Sequence, residues 1–519
     1  MTAIRLRQLG LLLLSFLIVL LGFFQMFQRT EAAMPMQYSV ILLVTGALFV
    51  VLWALLAKFQ PYGSQTIIPC VALLAGVGTT VIARIDVHQH TAVAFRQLVW
   101  MDAALALCCI LVVALRDYRV LRRFSYVSMV VGLALLLAPM LPGLGHEEGG
   151  SRIWIKIGPY TMQPAEFAKL FLAFFFAAYL FDHRDQLAVG GRKILGIRLP
   201  RIKDLGPIVI VWAVSMGVLV MQRDLGTSLM FFAMFVSMLY VATGRKSWIV
   251  IGIAAFALGA VAASMIFSHV GNRITGWLHP FDSDVYNAVG GSQQVVTGVF
   301  GLAAGGMTGT GLGQGHPYLT YLSFSDFIYT SVGEELGLIG VLAILLLYLV
   351  IIASGMITAM KIKDGFGKLL ASGLVFTMAF QVFTVVGGTT LVIPLTGLTL
   401  PYMAAGGSSL IANMVLVVLL LVISNAANKP QPDVSSDDFQ YEALAMLREQ
   451  EVRKREHQLQ EQRKQDSLAT QAIVVRSATA SDDVGESSDD IGETREQPAI
   501  TEEQIGEYRH ARHGQGGVQ

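Results

Sequence analysis

The sequence predicts an all-α polytopic membrane protein of about twelve transmembrane helices, and three observations predict it. The 519-residue chain is 54% hydrophobic and only 14% charged, against roughly 25% charged in soluble domains. Its apolar residues gather in stretches near the ~20 residues that cross a bilayer. Between them lies a glycine-rich run, Gly301–Gly315, which leads into a stretch, Ser325–Glu335, that carries Asp326 and the pair Glu334-Glu335. Glycine at that density favours loop or re-entrant backbone over helix interior. Such backbone survives at membrane depth only where it packs in protein or lines a wet cavity. Carboxylates beside it are costly in lipid and are functional candidates by default, so this stretch points to a polar cavity.

The elements follow in order. The first apolar segment, 9–28, comes after Arg5 and Arg7 as a signal peptide would. It lacks a small-residue cleavage site and is long for a signal core, which makes it a retained helix. Segments 36–57, 66–85 and 98–115 follow, and they contain Cys70, Cys108 and Cys109. These cysteines read as small buried hydrophobes and not as a disulfide framework or metal site. Segments 125–142 and 164–182 flank a polar loop, and 205–222 and 226–243 flank a short polar break. Segments 247–270, 326–355, 366–393 and 404–425 complete the set. A net charge of +1 leaves no global electrostatic case for nucleic acid.

Basic residues set the orientation. With the N-terminus inside, Arg116, Arg119, Arg122 and Arg123 lie inside, as do Arg184, Arg192, Lys193, Arg198, Arg201 and Lys203. Arg245, Lys246, Lys361, Lys363 and Lys368 follow the same side. The opposite loops carry only Arg29, Arg96, Arg152, Lys156 and Arg273. That asymmetry obeys the positive-inside rule. It places both termini in the cytoplasm and the loops near 143–163, 271–325 and 394–403 outside.

Residues 1–425 therefore form the transmembrane domain, and 426–519 a polar cytoplasmic tail. Within the tail, 436–467 is rich in Glu, Gln, Arg and Lys at spacings that suit a solvated helix. Residues 477–519 are Ser, Asp, Glu and Gly rich and are expected to be disordered. The tail is either a solvated appendage or a docking segment for a cytoplasmic partner.

Four polar clusters interrupt the apolar chain. In the first, Gly150–Gly158 holds Trp154 and Lys156 and is followed by Gln163-Pro-Ala-Glu-Phe-Ala-Lys169. Pro164 can open a helix, and Glu166 and Lys169 then share a face and can pair. The pair seats the helix at the interface or belongs to a site. In the second, Gln222–Ser228, Asp224 is suited to cap the next helix, or it joins Glu166 and Lys169 in one buried charged network. The third runs from Arg273 through Trp277, Asp282 and Asp284 to Gln293-Gln294. A cation, an amphipathic Trp and carboxylates at the membrane surface suit an anionic lipid-linked substrate, and a carboxylate there could deprotonate an acceptor hydroxyl. An ordinary solvated loop with Asp in turns explains the same residues. The fourth, Ile393–Leu410, has two prolines, three glycines and Ser408-Ser409. It offers either free backbone donors at a broken helix or close helix packing through small residues.

In order and content, these clusters resemble the SEDS family, which includes RodA, FtsW and SpoVE. The matching residues are Trp154, Gln163–Lys169, Gln222–Thr227, Gly305–Gly315, Asp326–Tyr329, Gly333–Gly337 and Pro394–Ser409. The resemblance covers roughly 125–425. Pro394-Leu-Thr-Gly-Leu-Thr-Leu-Pro-Tyr402 and Gly406-Gly-Ser-Ser-Leu410 look more like the RodA branch. Twelve segments, two above the family's usual ten, are similar to its actinobacterial members. Three positions depart from the pattern. Arg223 stands where the family has proline, Met403-Ala-Ala405 replaces a Ser-Tyr stretch, and Ser283 occupies the family's catalytic Asp position between Asp282 and Asp284.

The resemblance implies a peptidoglycan glycosyltransferase that polymerises lipid II outside the cell with a class B penicillin-binding protein. It implies that Asp284 or Asp282 is the general base. Glu166, Lys169 and Asp224 would form a polar network below the site, with Gln294, Ser408 and Ser409 as further substrate contacts. Arg273 and Lys156 could neutralise pyrophosphate, with or without a divalent cation, Mg or Mn; no metal-ligand spacing demands one. A division-specific paralogue, a lipid II flippase and a non-catalytic scaffold for the transpeptidase are the alternatives.

Overall fold

The computed structural model describes residues 2–148, 151–158, 160–184, 193–194, 197–198, 202–288 and 290–430. It also describes 451–452, 454–455 and 458–460, which are helical. The chain divides into two units, Met1–Pro430 and Gln431–Gln519. Most of the expected helical and disordered parts of the tail, within 436–467 and 477–519, lie outside the described residues.

The first unit begins with α1 (Thr2–Arg29), α2 (Met36–Phe59), α3 (Ile67–Gln89) and α4 (Val93–Ala114). The one-turn α5 (Val120–Arg123) leads into α6 (Ser125–Leu137). Strands β1 (Gly145–Glu148), β2 (Ser151–Ile157) and β3 (Tyr160–Met162) then precede α7 (Ala165–Asp182). A two-residue hairpin, β4 (Lys193–Ile194) with β5 (Ile197–Arg198), comes before α8 (Ile202–Met221), α9 (Leu225–Thr243) and α10 (Ser247–Ile266). The long polar loop holds α11 (Ser268–Leu278), α12 (Ser283–Tyr286) and α13 (Gln293–Gly305). The unit closes with α14 (Ile328–Lys361), α15 (Gly365–Thr389) and α16 (Gly407–Asn428).

Each of the twelve expected apolar segments falls on a helix. Among the described residues, nine of these helices are long and apolar enough to cross a membrane. The apolar helices Ser125–Met140 and Gly206–Met221 are shorter, and α7 carries Glu166, Lys169 and Asp182. The protein is thus an all-α polytopic membrane protein. Its centre is α3, α15 and α16, whose apolar windows are 78%, 72% and 72% buried, whereas that of α10 is 6% buried. Helix α10 therefore sits at the rim, where lipid would cover it.

One end of the bundle is tied together by hydrogen bonds. There the Arg5 Nε donates to the Pro61 carbonyl at 3.3 Å, and Asn425 and Asn428 bond the Tyr62 backbone at 2.8 and 3.2 Å. The start and finish of the bundle therefore share one side. The basic loops at 116–123 and 361–368 share this end, through Tyr118–Asp364 at 3.1 Å and Arg122–Asp182 at 2.6 Å, and Arg116 lies 5.6 Å over the Phe59 ring.

The loop at 143–163 is a three-stranded antiparallel sheet in the order β1-β2-β3. Ile155 pairs with Gly145 on one side and Met162 on the other. The run Arg-Ile-Trp-Ile-Lys-Ile is dense in β-branched and aromatic residues, which fit a pleated surface.

The glycine run leaves helix after Gly305, as its composition predicts. Helix α14 is broken at Gly337, where φ is +68° and ψ −171°. The break frees backbone groups that the run then satisfies. Thr310 and Gly311 donate to the carbonyls of Glu334 and Glu335 at 2.9 and 3.0 Å, and Leu338 and Ile339 donate to Gly306 and Met307 at 2.9 and 3.1 Å. A Cβ at Gly309 would lie 2.1 Å from the Glu335 carbonyl oxygen, so only glycine permits this approach. The His316 backbone N–H donates to the Glu334 carboxylate at 2.6 Å, and that of Gly313 donates to the Glu335 carboxylate. Arg84 of α3 lies 3.7 Å from Glu335 and donates to the Gly315 carbonyl at 2.8 Å. The run is thus packed against the broken helix, and the paired glutamates hold it there.

Candidate active site

The site is built where three helices begin and one is interrupted. Between α15 and α16 the chain runs without helix from Leu391 to Gly406, which its two prolines and its glycines enforce. The starts of α7, α9 and α16 converge on this segment through hydrogen bonds.

Deepest is the pair Glu166–Lys169, 4% and 2% exposed. The Lys169 Nζ lies 2.5 Å from the Glu166 Oε2. It also donates to the Gln381 Oε1 at 3.2 Å and the Asn413 Oδ1 at 3.3 Å. One buried charge pair thus has four polar members, which lowers the cost of placing it among apolar helices. Gln381 donates onward to the Thr399 carbonyl at 2.9 Å. Asn413 donates to the Ser409 carbonyl at 2.8 Å and to its hydroxyl at 3.2 Å, and the Ser409 Oγ accepts from the Thr399 hydroxyl at 2.9 Å.

Above this lies Asp224. It caps α9, accepting from the Thr227 N–H at 3.0 Å, as an N-cap aspartate should. Its other oxygen accepts from the Gln163 Nε2 at 3.3 Å, while the Gln163 N–H donates to the Ser408 hydroxyl at 3.1 Å. Asp224 therefore joins the α7–α16 network through Gln163 and Ser408, without touching Lys169. Burial raises its pKa, opposed by the Thr227 hydrogen bonds, while the nearby Glu166 raises it further and Arg273 lowers it.

Arg273 reaches the same place from α11. Its Nη1 donates to the carbonyls of Leu395 and Thr396 at 3.3 and 3.1 Å. One turn later the Trp277 indole N–H donates to the Leu391 carbonyl at 2.9 Å. Together they lay α11 along the interrupted segment. Burial lowers the Arg273 pKa, against the pull of Asp224 and Asp326.

Asp282 and Asp284 are exposed. Asp282 precedes the one-turn α12 and lies 3.7 Å from His279, and Asp284 is inside that turn. No ion pair joins either acid to Arg273 among the described residues. Their loop is closed by Ser292, whose hydroxyl donates to the Pro280 carbonyl at 2.6 Å. Gln294 sits in the first turn of α13, half-buried, its carbonyl accepting from the Thr297 hydroxyl at 3.1 Å. Lys156 is exposed on β2, opposite Thr161. The structure thus gathers Glu166, Lys169, Asp224, Arg273, Ser408 and Ser409, and leaves Asp282, Asp284, Gln294 and Lys156 outside the hydrogen-bonded cluster.

Sequence reasoning missed Gln381, Asn413 and Gln97 as members. Gln97 of α4 donates to the Ala404 carbonyl at 3.0 Å and accepts from the Gly406 N–H at 3.1 Å. Their signal was present, since each is a lone amide in an apolar run, and such side chains bond between membrane helices.

Comparison with known proteins places the chain in a family. The family model described as a cell cycle protein, covering FtsW, RodA and SpoVE, matches residues 64–429. The peptidoglycan glycosyltransferase RodA of Mycobacterium tuberculosis is 44% identical over 382 residues, 72% of this chain and 80% of that protein. The Mycobacterium leprae RodA is 42% identical over 397 residues, 75% and 83% of the two chains. Stage V sporulation protein E of Bacillus subtilis is 33% identical over 314 residues, 59% and 81%. A solved chain from a peptidoglycan synthase complex that coordinates polymerization and crosslinking superposes with a TM-score of 0.58 at 25% identity, covering 71% of this chain and 99% of that one. Since the family match takes in every residue of the cluster just described, the chain belongs to the FtsW, RodA and SpoVE family, the SEDS proteins.

Proposed function

We propose that this chain, a peptidoglycan glycosyltransferase, polymerises lipid II into glycan strands at the outer face of the cytoplasmic membrane during cell elongation. What carries the reading is that the cluster around the interrupted segment, with Arg273 among its members, lies wholly within the family stretch 64–429. An arginine among helix starts suits a pyrophosphate, because helix N-termini and guanidinium both favour anions.

The reaction assigns each group a task. Asp284 or Asp282 takes the proton from the acceptor sugar hydroxyl. The oxygen then bonds the anomeric carbon of the donor, whose bond to pyrophosphate breaks, and the lipid pyrophosphate leaves with the electron pair. Arg273 neutralises the charge that develops on it, and Lys156 on β2 and Gln294 on α13 are further contacts for the substrate. The loop from α11 to α13 would bring its acids to the substrate, since both are exposed in the free protein. Among the described residues no three His, Cys, Asp or Glu side chains come together as metal ligands. A Mg or Mn ion on the substrate's pyrophosphate would add to the neutralisation by Arg273.

The basic-loop asymmetry supports cytoplasmic termini. The likeness to a chain of a peptidoglycan synthase complex supports a class B penicillin-binding protein as partner. The test is polymerisation of lipid II by the purified protein, with and without that transpeptidase co-expressed. Glycan polymer in detergent supports the reading. Transbilayer movement of lipid II in vesicles with no polymer formed would replace it with a flippase.

A further inference from the structure

Asp326 has no structural task that accounts for it. It lies just before α14, yet the cap position is Phe327 and no side chain caps that helix. Its carboxyl is partly buried, and the one charged group that acts on it is Arg273. The two do not close into an ion pair. Instead they face one small space above Gly397, where φ is +74°. A Cβ at Gly397 would lie 3.8 Å from the Asp326 Oδ2 and 4.0 Å from the Arg273 Nη2, and it would meet nothing else within 4 Å. Arg273 is anchored by its Nη1 on the Leu395 and Thr396 carbonyls, which leaves Nη2 to face this space. A carboxylate and a guanidinium held apart over a bare glycine make a gap with an acceptor on one side and a charged donor on the other. A residue with a side chain at position 397 would fill it.

We propose that Asp326 and Arg273 form a substrate cradle over Gly397, in which Arg273 takes a phosphate oxygen of the lipid-linked sugar and Asp326 accepts a hydrogen bond from a sugar hydroxyl. This rests on the glycosyltransferase reading and adds to it a carboxylate outside the two acids of the long loop. The spacing fits the chemistry. A sugar pyrophosphate carries a hydroxyl donor and an anionic acceptor close together, and each finds its complement. The bond to Asp326 is made to bound substrate in its ground state, so its loss weakens binding more than turnover.

Charge supports the assignment. Burial pushes Asp326 up to about 6, with Ser325 and Arg273 pulling the other way. Arg273 in turn feels Asp224 at the start of α9 and acts on His269 of its own helix. The carboxyl therefore loses its acceptor character as pH falls through about 6.

The experiment measures lipid II polymerisation by the full-length protein, with the transpeptidase co-expressed, across this pH range, and lipid II binding as a rise in melting temperature. Asp326→Asn is expected to raise KM about 10–100-fold, the loss of one hydrogen bond to a charged group, with kcat within about twofold. The acid limb of kcat/KM near pH 6 should disappear in Asp326→Asn and persist in Asp326→Glu. Gly397→Ala, which fills the space directly, should raise KM as well, and it serves if Asp326→Asn fails to fold. Wild-type KM together with an unchanged acid limb in a folded Asp326→Asn overturns the cradle, and so does wild-type KM in Gly397→Ala. If wild type makes no polymer, the glycosyltransferase reading has failed separately. The cradle is then judged by binding alone, which supports it if lipid II stabilises wild type and not Asp326→Asn, and refutes it if both respond alike.

Discussion

Removing the ammonium of Lys169 is the sharpest test of the buried network. The group is 2% exposed and sits 2.5 Å from a carboxylate that is 4% exposed. Lys169→Met keeps the length of the side chain and removes its charge. Glu166 is then a buried anion without a cation, and the Gln381 and Asn413 oxygens lose a shared donor. Breaking one partner of a buried pair costs about 3–5 kcal/mol, and the two stranded acceptors push the expectation to the upper end of that range. The double variant Lys169→Met/Glu166→Gln leaves no net charge in the pocket, so most of the loss should return, as when buried pairs are replaced by neutral groups. Melting of the purified protein in detergent should show the single variant lowest, by on the order of 5–10 °C, with the double variant between it and wild type. Polymerisation should fall in both, because the pair also positions Ser409 through Asn413. A Lys169→Met protein that melts like wild type, or a double variant no more stable than the single one, would refute the reasoning.

Asp282→Ala/Asp284→Ala should lose about 10²–10⁴-fold in polymerisation rate, the usual cost of removing a general base. Both side chains are exposed, so the melting temperature should hold, and normal polymerisation would remove them from the mechanism. Gly309→Ala should cost about 1–3 kcal/mol from its backbone conformation alone, plus a clash at 2.1 Å with the Glu335 carbonyl. Gly306→Ala, which has open space around its Cβ, should cost only the backbone part, and equal folded yields from the two would sink the clasp argument. Truncation after Asn428 should leave lipid II polymerisation in vitro unchanged and shift only localisation or regulation in cells; a well-folded truncation that makes no polymer would assign the tail to the catalytic unit.

The helices were legible because a bilayer demands length and apolarity that few other structures require. Glu166 with Lys169, and Asp224 as a cap, were legible because spacing along a helix dictates who can touch whom. Arg273 and Trp277 are four residues apart, one turn of α11, and both reach the interrupted segment, a pairing that helical periodicity could have given. The glycine run signalled an unusual backbone without naming its partner. The partner here is the break at Gly337, over twenty residues beyond the end of the run and inside an apolar stretch that read as one continuous span. Asp326 stood inside a recognised motif, and only the space over Gly397, a product of three separate segments, separates it from the glutamates nearby.

The end of the bundle that carries the site has an electrostatic bias that no single residue supplies. The starts of α7, α9 and α16 are linked there by Gln163, Asp224 and Ser408, and each helix start presents partial positive charge. The Glu166–Lys169 pair beneath is neutral as a unit. Burial works against negative charge on both Asp224 and Asp326, while Arg273 keeps its cation because a guanidinium does not deprotonate in proteins. The interrupted segment adds carbonyls, but Arg273 occupies those of Leu395 and Thr396. What remains facing outward is a cation backed by helix starts, beside carboxyls whose negative charge burial disfavours. In the proposed reaction such an end would hold the pyrophosphate of the donor more strongly than a neutral sugar. The sugar's position would then be fixed by hydroxyl contacts, with the loop acids approaching from solvent.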